Sequence, residues 1–260
     1  MLSLVRPART VFIPRISALR TSFSTLNSNS PVLYAHFQAT YKDDSGRVKM
    51  TYSDVYSEIV VDHNNVKDLY HRYKAANSKD EKATLVNTII RELAQHSEAE
   101  EVSVYNVLEQ KGLITESKEL RDEHEQLEKE LYSVDWSKVD SADFGTKFEH
   151  AIQLFIQHSD KEEEQVLKDL AAKLTPEEND KLAKDFVAKR NVVPTRPHPV
   201  APQSGGIAQK VLGMATRPHD KILETLQGRH FVPESELKYY HGTGKVEPIK
   251  IDQSLVGTSL

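Results

Sequence analysis

The chain has 260 residues, of which 38% are hydrophobic and 28% charged, with a formal net charge of −5 and no cysteine. The lack of cysteine excludes disulfide scaffolds, Cys-ligated zinc, thiolate-held iron–sulfur clusters and thiol catalysis, and the acidic balance argues against nucleic-acid binding, which needs a basic surface. No apolar run approaches the roughly eighteen residues that stable membrane insertion requires.

Residues 1–30 carry Arg6, Arg9, Arg15 and Arg20 and no acid; the first carboxylate of the chain is Asp43. An Arg-rich, Ser-rich, acid-free start is the composition of a mitochondrial transit peptide, so the expected compartment is the mitochondrial matrix. Residues 31–52 hold a turn-like cluster, Lys42-Asp43-Asp44-Ser45-Gly46, and little helical period; an irregular arm is expected there. From Ser53 onward, apolar residues recur at helical spacing. A first segment over 53–76 places Val55, Ile59, Val66, Leu69 and Tyr73 near one face. A second starts at Ser78-Lys79-Asp80-Glu81, a capping box, and runs to Gly112 with Leu85, Ile89, Leu93, Val104 and Leu108 inward. A third, over 116–133, carries Leu120, Leu127 and Leu131, and a fourth, over 141–173, carries Phe144, Phe148, Ile152, Phe155, Val166 and Leu170. Trp136, in the connection between them, is expected to pack into the core. Thr175-Pro176-Glu177-Glu178 opens a fifth helix that fades near Arg190.

The expected fold is therefore all-α: an up-down-up-down four-helix bundle with a fifth helix over 53–190. A mostly irregular Pro/Gly-rich tail comes after it over 191–260, with one short helix from about Pro218 to Gln227.

Of the eleven histidines, His63, His96, His124 and His158 fall one per bundle helix, near its middle. Three of them read His-x-x-x-Glu, His96 to Glu100, His124 to Glu128 and His158 to Glu162, a spacing that puts both side chains on one helix face. The second and fourth helices sit diagonally and run parallel, so two carboxylates and four imidazoles converge on a common centre. Buried without metal, such a cluster is costly: the carboxylates repel and the imidazoles need partners.

Ile59-Val60-Val61-Asp62-His63, His96-Ser97-Glu98-Ala99-Glu100-Glu101, Glu123-His124 and His158-Ser159-Asp160-Lys161-Glu162-Glu163 together resemble the hemerythrin-like, or HHE cation-binding, family over about 53–175. The resemblance implies that His63, His96, His124 and His158 are imidazole ligands and that Glu100 and Glu162 bridge two non-haem irons. Oxygen-carrying hemerythrins have a second His one turn on in the third bundle helix; here that place is Glu128, a possible seventh ligand. A carboxylate there favours the ferric state and makes simple reversible oxygen carriage a poorer reading. Manganese or zinc fits less well than iron, because a closed zinc site wants four ligands and often Cys.

Three function classes remain open. One is a diiron protein that senses or handles dioxygen, nitric oxide, peroxide or iron. A second is a diiron oxidoreductase or peroxide-consuming enzyme, and a third is a metal-free helical interaction module. Glu-x-x-His and His-Glu-x-x-His are both absent, which removes ferritin-like diiron and zinc-protease chemistry. His71, His150 and Tyr132 are expected to be partly exposed, and His198, His219, His230 and His241 to lie at the tail surface. Lys67 and Glu92 are either outer partners of the site or a solvated pair. In Glu162-Glu163-Glu164 only Glu162 is in helical phase with His158, so Glu163 is expected on the solvated face.

Overall fold

A computed structural model describes residues 40–42, 48–50, 53–199, 207–251 and 255–256; for the two strands and for 207–215 only the backbone is described. Strands β1 (Thr40–Lys42) and β2 (Val48–Met50) pair antiparallel, Thr40 opposite Met50. The arm expected to be irregular thus contains a short hairpin, with Thr, Tyr and Val flanking the turn cluster and favouring extended backbone. Residues 1–30 lie outside the described residues.

The bundle is built from α1 (Val55–Ala75), α2 (Lys79–Val102), α4 (Ile114–Asp135) and α5 (Phe144–Lys161), with the short α3 (Val104–Gln110) between the second and third. The start signals act as their chemistry dictates. Ser78 accepts from the Glu81 N–H at 3.1 Å, and Thr175 and Glu178 close a reciprocal capping box on α7 (Pro176–Arg190). Asp54 caps α1 and is tied to α7 through Asn179, whose Oδ1 accepts from the Val55 N–H and whose Nδ2 donates to Asp54. Helix α1 packs on α2, α2 on α4 and α4 on α5. The Tyr73 and Phe148 rings, 4.8 Å between centroids, close the circle from α1 to α5.

Two interruptions depart from the expected regular helices. Helix α2 does not run on to Gly112. Ser103 leaves helical backbone (φ −128°, ψ −70°), and its hydroxyl bonds back to the Ala99 carbonyl, a competition that bends helices. The fourth segment contains a π-helical turn, Glu162–Val166, between α5 and α6 (Leu167–Ala171).

The tail departs as well. Helix α8 (Ile207–Leu226) begins well before Pro218 and carries that proline inside it. The preceding residues, rich in Ala, Leu and Met, are good helix formers, and the proline removes a single backbone donor. Residues 228–251 form a strap on α1. Asn65 exchanges two hydrogen bonds with the backbone of Tyr239, and Asn64 reads Glu247 and Ile249 in the same way. Trp136 is 57% exposed rather than packed; Val134 takes the inward position, and the Arg196 guanidinium lies over the indole.

The core is in two parts. One apolar cluster contains Leu69, Tyr73, Ile89, Leu131, Phe148 and Phe155; the other contains Val55, Ile59, Val104, Leu120, Val166 and Phe186. A buried polar layer separates them, at the level of His63, His96, His124 and His158. Among the described residues, no helix is long and apolar enough to cross a membrane.

Candidate metal centre

Each bundle helix delivers one imidazole to the polar layer, and all four are at most 3% exposed. The Nε2 atoms of His63 and His96 lie 3.1 Å apart, and those of His124 and His158 lie 3.0 Å apart. Glu100 Oε2 is 3.3 Å from His96 Nε2 and 3.5 Å from His124 Nε2. Glu162 Oε2 is 3.6 Å from His63 Nε2 and 3.7 Å from His158 Nε2. The six residues form two overlapping donor groups, one of His63, His96, His158 and Glu162, the other of His96, Glu100, His124 and His158. Within each, the donor atoms lie within 4.8 Å of one another.

Glu128 stands outside both groups. Its Oε1 accepts the His198 backbone N–H at 2.7 Å, so it anchors the tail one turn away from His124. His71 is half-buried, and His150 and Tyr132 are exposed, all away from the centre.

The imidazoles are held from behind by carboxylates. His63 Nδ1 lies 2.9 Å from Glu163, His158 Nδ1 3.0 Å from Glu123 and His96 Nδ1 3.3 Å from Asp62; His124 Nδ1 faces Glu101 at 3.4 Å. Each carboxylate sits next in sequence to a residue of the inner cluster and serves the following helix. Asp62 of α1 backs α2, Glu101 of α2 backs α4, Glu123 of α4 backs α5, and Glu163 of the π turn returns to α1. Each is paired in turn with a cation. Lys67 bonds Glu163 at 3.0 Å, Lys161 bonds Glu123 at 2.8 Å, Arg190 lies 2.6 Å from Asp62, and Arg121 lies 3.8 Å from Glu101.

The π turn explains why Glu163 is 2% exposed rather than solvated. A wider turn brings two adjacent residues inward, Glu162 toward the cluster and Glu163 toward His63. Lys67, fully buried, is an outer partner of the site through Glu163, and Glu92 is one through Arg190, which also pairs with Asp62.

Sequence spacing also missed Tyr105. The break at Ser103 lets α3 turn this residue into the cluster, where its hydroxyl donates to Glu100 at 3.0 Å and lies 3.1 Å from His124 Nε2. It missed His241 too, which the strap inserts between Glu58 (2.8 Å) and Asp62 (3.1 Å). The adjacent pairs Asp62-His63, Glu100-Glu101, Glu123-His124 and Glu162-Glu163 are a signal that could have pointed to the backing acids.

The titration behaviour arises from burial. Burial lowers His63 and His124 well below the ordinary imidazole range, helped by neighbouring imidazoles, and so keeps both neutral. It pushes Glu162 up to about 7, and burial with the nearby Glu162 charge pushes Glu100 well up. Asp62 goes the other way: its burial is overcome by Arg190 and His241, which hold it far below the carboxylate range.

A carboxylate can only accept, so the backed Nδ1 atoms of His63, His96 and His158 carry the protons and their Nε2 atoms present lone pairs inward. The close Nε2 contact of His63 and His96 then brings like ends together. In addition, both oxygens of Glu162 and Oε1 of Glu100 are buried without a hydrogen-bond partner. Inward lone pairs and orphaned carboxylate oxygens form a donor set that fits cations, and neutral, carboxylate-backed imidazoles are what metal binding needs.

A model of the hemerythrin HHE cation-binding domain matches residues 54–170. A hemerythrin-like protein of Schizosaccharomyces pombe is 31% identical over 173 residues, covering 65% of this chain and 84% of that protein. No solved structure matches the chain significantly.

Proposed function

Because the chain belongs to the hemerythrin HHE cation-binding family, we propose that its buried cluster is a non-haem diiron site that senses or handles dioxygen, nitric oxide, peroxide or iron, and that the protein works in the mitochondrial matrix. The observation that carries the metal reading is the 3.1 Å Nε2–Nε2 contact between His63 and His96, imidazoles whose protons face outward. Two cations between inward lone pairs remove that repulsion and give the orphaned oxygens of Glu100 and Glu162 a partner. A metal-free interaction module leaves both unrelieved.

His63, His96, His124 and His158 would hold the ions, with Glu100 and Glu162 between them. Mixed imidazole and carboxylate donors without thiolate suit iron or manganese better than zinc. Iron bound there would supply one-electron chemistry and open positions for a small diatomic or peroxide ligand. Tyr105 fixes Glu100 through its O–H and keeps a proton beside the cluster; burial and the Glu100 charge raise its phenol, so that proton stays on. The apolar clusters on either side exclude bulk water. For the compartment, the support is the acid-free, Arg-rich residues 1–30.

The test is elemental analysis of the purified full-length protein, before and after anaerobic loading with iron(II). The expected result is two irons per chain and a visible absorption band on exposure to air. A single zinc, or no bound iron after loading, overturns the diiron reading.

A further inference from the structure

Asp62 is a backing carboxylate that receives a partner from outside the helices. Its Oδ2 faces His96 Nδ1 at 3.3 Å and Arg190 at 2.6 Å, and its Oδ1 faces His241 Nε2 at 3.1 Å. His241 is itself fixed on its other side: Nδ1 lies 2.8 Å from Glu58 Oε2, and the next residue, Gly242, donates its N–H to Glu58 Oε1 at 3.0 Å. Gly242 has φ +71°, a backbone that glycine adopts without strain, so the strap turns sharply at the point where it presents the imidazole. The neighbouring strap residues are docked by side chains rather than by chance contact. Asn65 and Asn64 of α1 each make paired hydrogen bonds to strap backbone, and Val246 donates its N–H to Ser57 Oγ. Helix α1 therefore carries a polar row whose partner is the strap, and Asp62 lies within that row.

We propose that His241 is a positioning residue of the metal centre: the C-terminal strap brings it to Asp62, and through Asp62 it sets the ring orientation and tautomer of His96. The proposal rests on the metal reading of the cluster. Arg190 alone grips only one oxygen of Asp62, leaving the carboxylate free to rotate about its Cβ–Cγ bond. The His241 imidazole, an ion-pair contact 3.1 Å from Oδ1 rather than an aligned hydrogen bond, restrains that plane from a second side, and with it the direction from which His96 Nδ1–H donates. A ligand whose second nitrogen is held in this way keeps its lone pair on the metal, and losing such an outer contact typically costs about 10–100-fold in affinity.

The experiment compares full-length wild type, His241→Phe and His241→Gln, each loaded with iron(II) and oxidised in air. Three quantities are read: the rate of iron loss to a chelator, the position of the iron charge-transfer bands, and the midpoint of reduction. For His241→Phe the expected result is iron loss at least about 10-fold faster, with shifted bands and midpoint. His241→Gln, which still offers Asp62 an N–H, should recover most of both. Unchanged iron loss and spectra in His241→Phe overturn the proposal. So does a loss in both variants that merely follows a drop in melting temperature, because the strap then acts only by stabilising the fold. A wild type that holds no iron overturns the diiron reading instead, so the two failures are distinct.

Discussion

Glu162 and Glu163 are adjacent, both buried and both acidic, yet their surroundings give them opposite roles. Glu163 bonds His63 and the fully buried Lys67, whereas neither oxygen of Glu162 has a hydrogen-bond partner. Truncating Glu163 leaves an ammonium in the interior without its closest carboxylate, and breaking a buried pair from one side costs about 3–5 kcal/mol. Truncating Glu162 removes an uncompensated buried carboxylate, which is a relief to the metal-free fold. Denaturation of metal-free protein should therefore show Glu163→Ala strongly destabilised and Glu162→Ala at least as stable as wild type. Both should lose iron, Glu162→Ala by losing a donor and Glu163→Ala by about 10-fold or more through His63. Adding Lys67→Met to Glu163→Ala should restore much of the stability and none of the iron binding. Equal destabilisation by the two single variants would contradict these roles.

At the scale of elements, a π turn is one extra residue within an α-helix, so it can be removed without rotating the helix beyond it. Gln165 is an exposed residue of that turn, and deleting it should let α5 run straight into α6 with Val166, Leu167 and Leu170 still facing inward. Only one of the two acids can then face the bundle. The expected outcome is native helical content by circular dichroism with iron binding reduced at least about 10-fold; full iron retention would show that the wide turn is dispensable.

The same turn marks where sequence stops being informative. Regular 3.6-residue spacing made the four bundle helices, the capping signals of Ser78 and Thr175, and the phase of His63, His96, Glu100, His124, His158 and Glu162 legible, because each is a local pattern. Glu163 and Tyr105 were not legible, because each enters the site through a break in that spacing, the π turn and the bend at Ser103. Glu128 satisfied the spacing yet serves the tail, since position four after His124 fits the edge of the helix face as well as its centre. His241 left no local sign at all, because its contact depends on how a strap far along the chain docks on α1.

For the whole molecule, the two chain ends have unequal claims on the site. Among the described residues, every member of the inner cluster and every backing group lies between Glu58 and Gly242, and the C-terminal strap is tied to α1 by hydrogen bonds from Asn64 and Asn65. The four arginines of residues 1–30, unopposed by any acid, suit a segment drawn inward by a membrane potential, and the rest of the chain is more acidic without them. A version that starts at Pro31 with an added methionine should fold, melt and bind iron as the full chain does, because it keeps every one of those groups. In cells it should stay in the cytosol, while residues 1–30 fused to an unrelated soluble protein should carry that protein into the matrix. Fractionation that finds the shortened chain inside mitochondria, or the fusion outside them, would show that the address lies elsewhere.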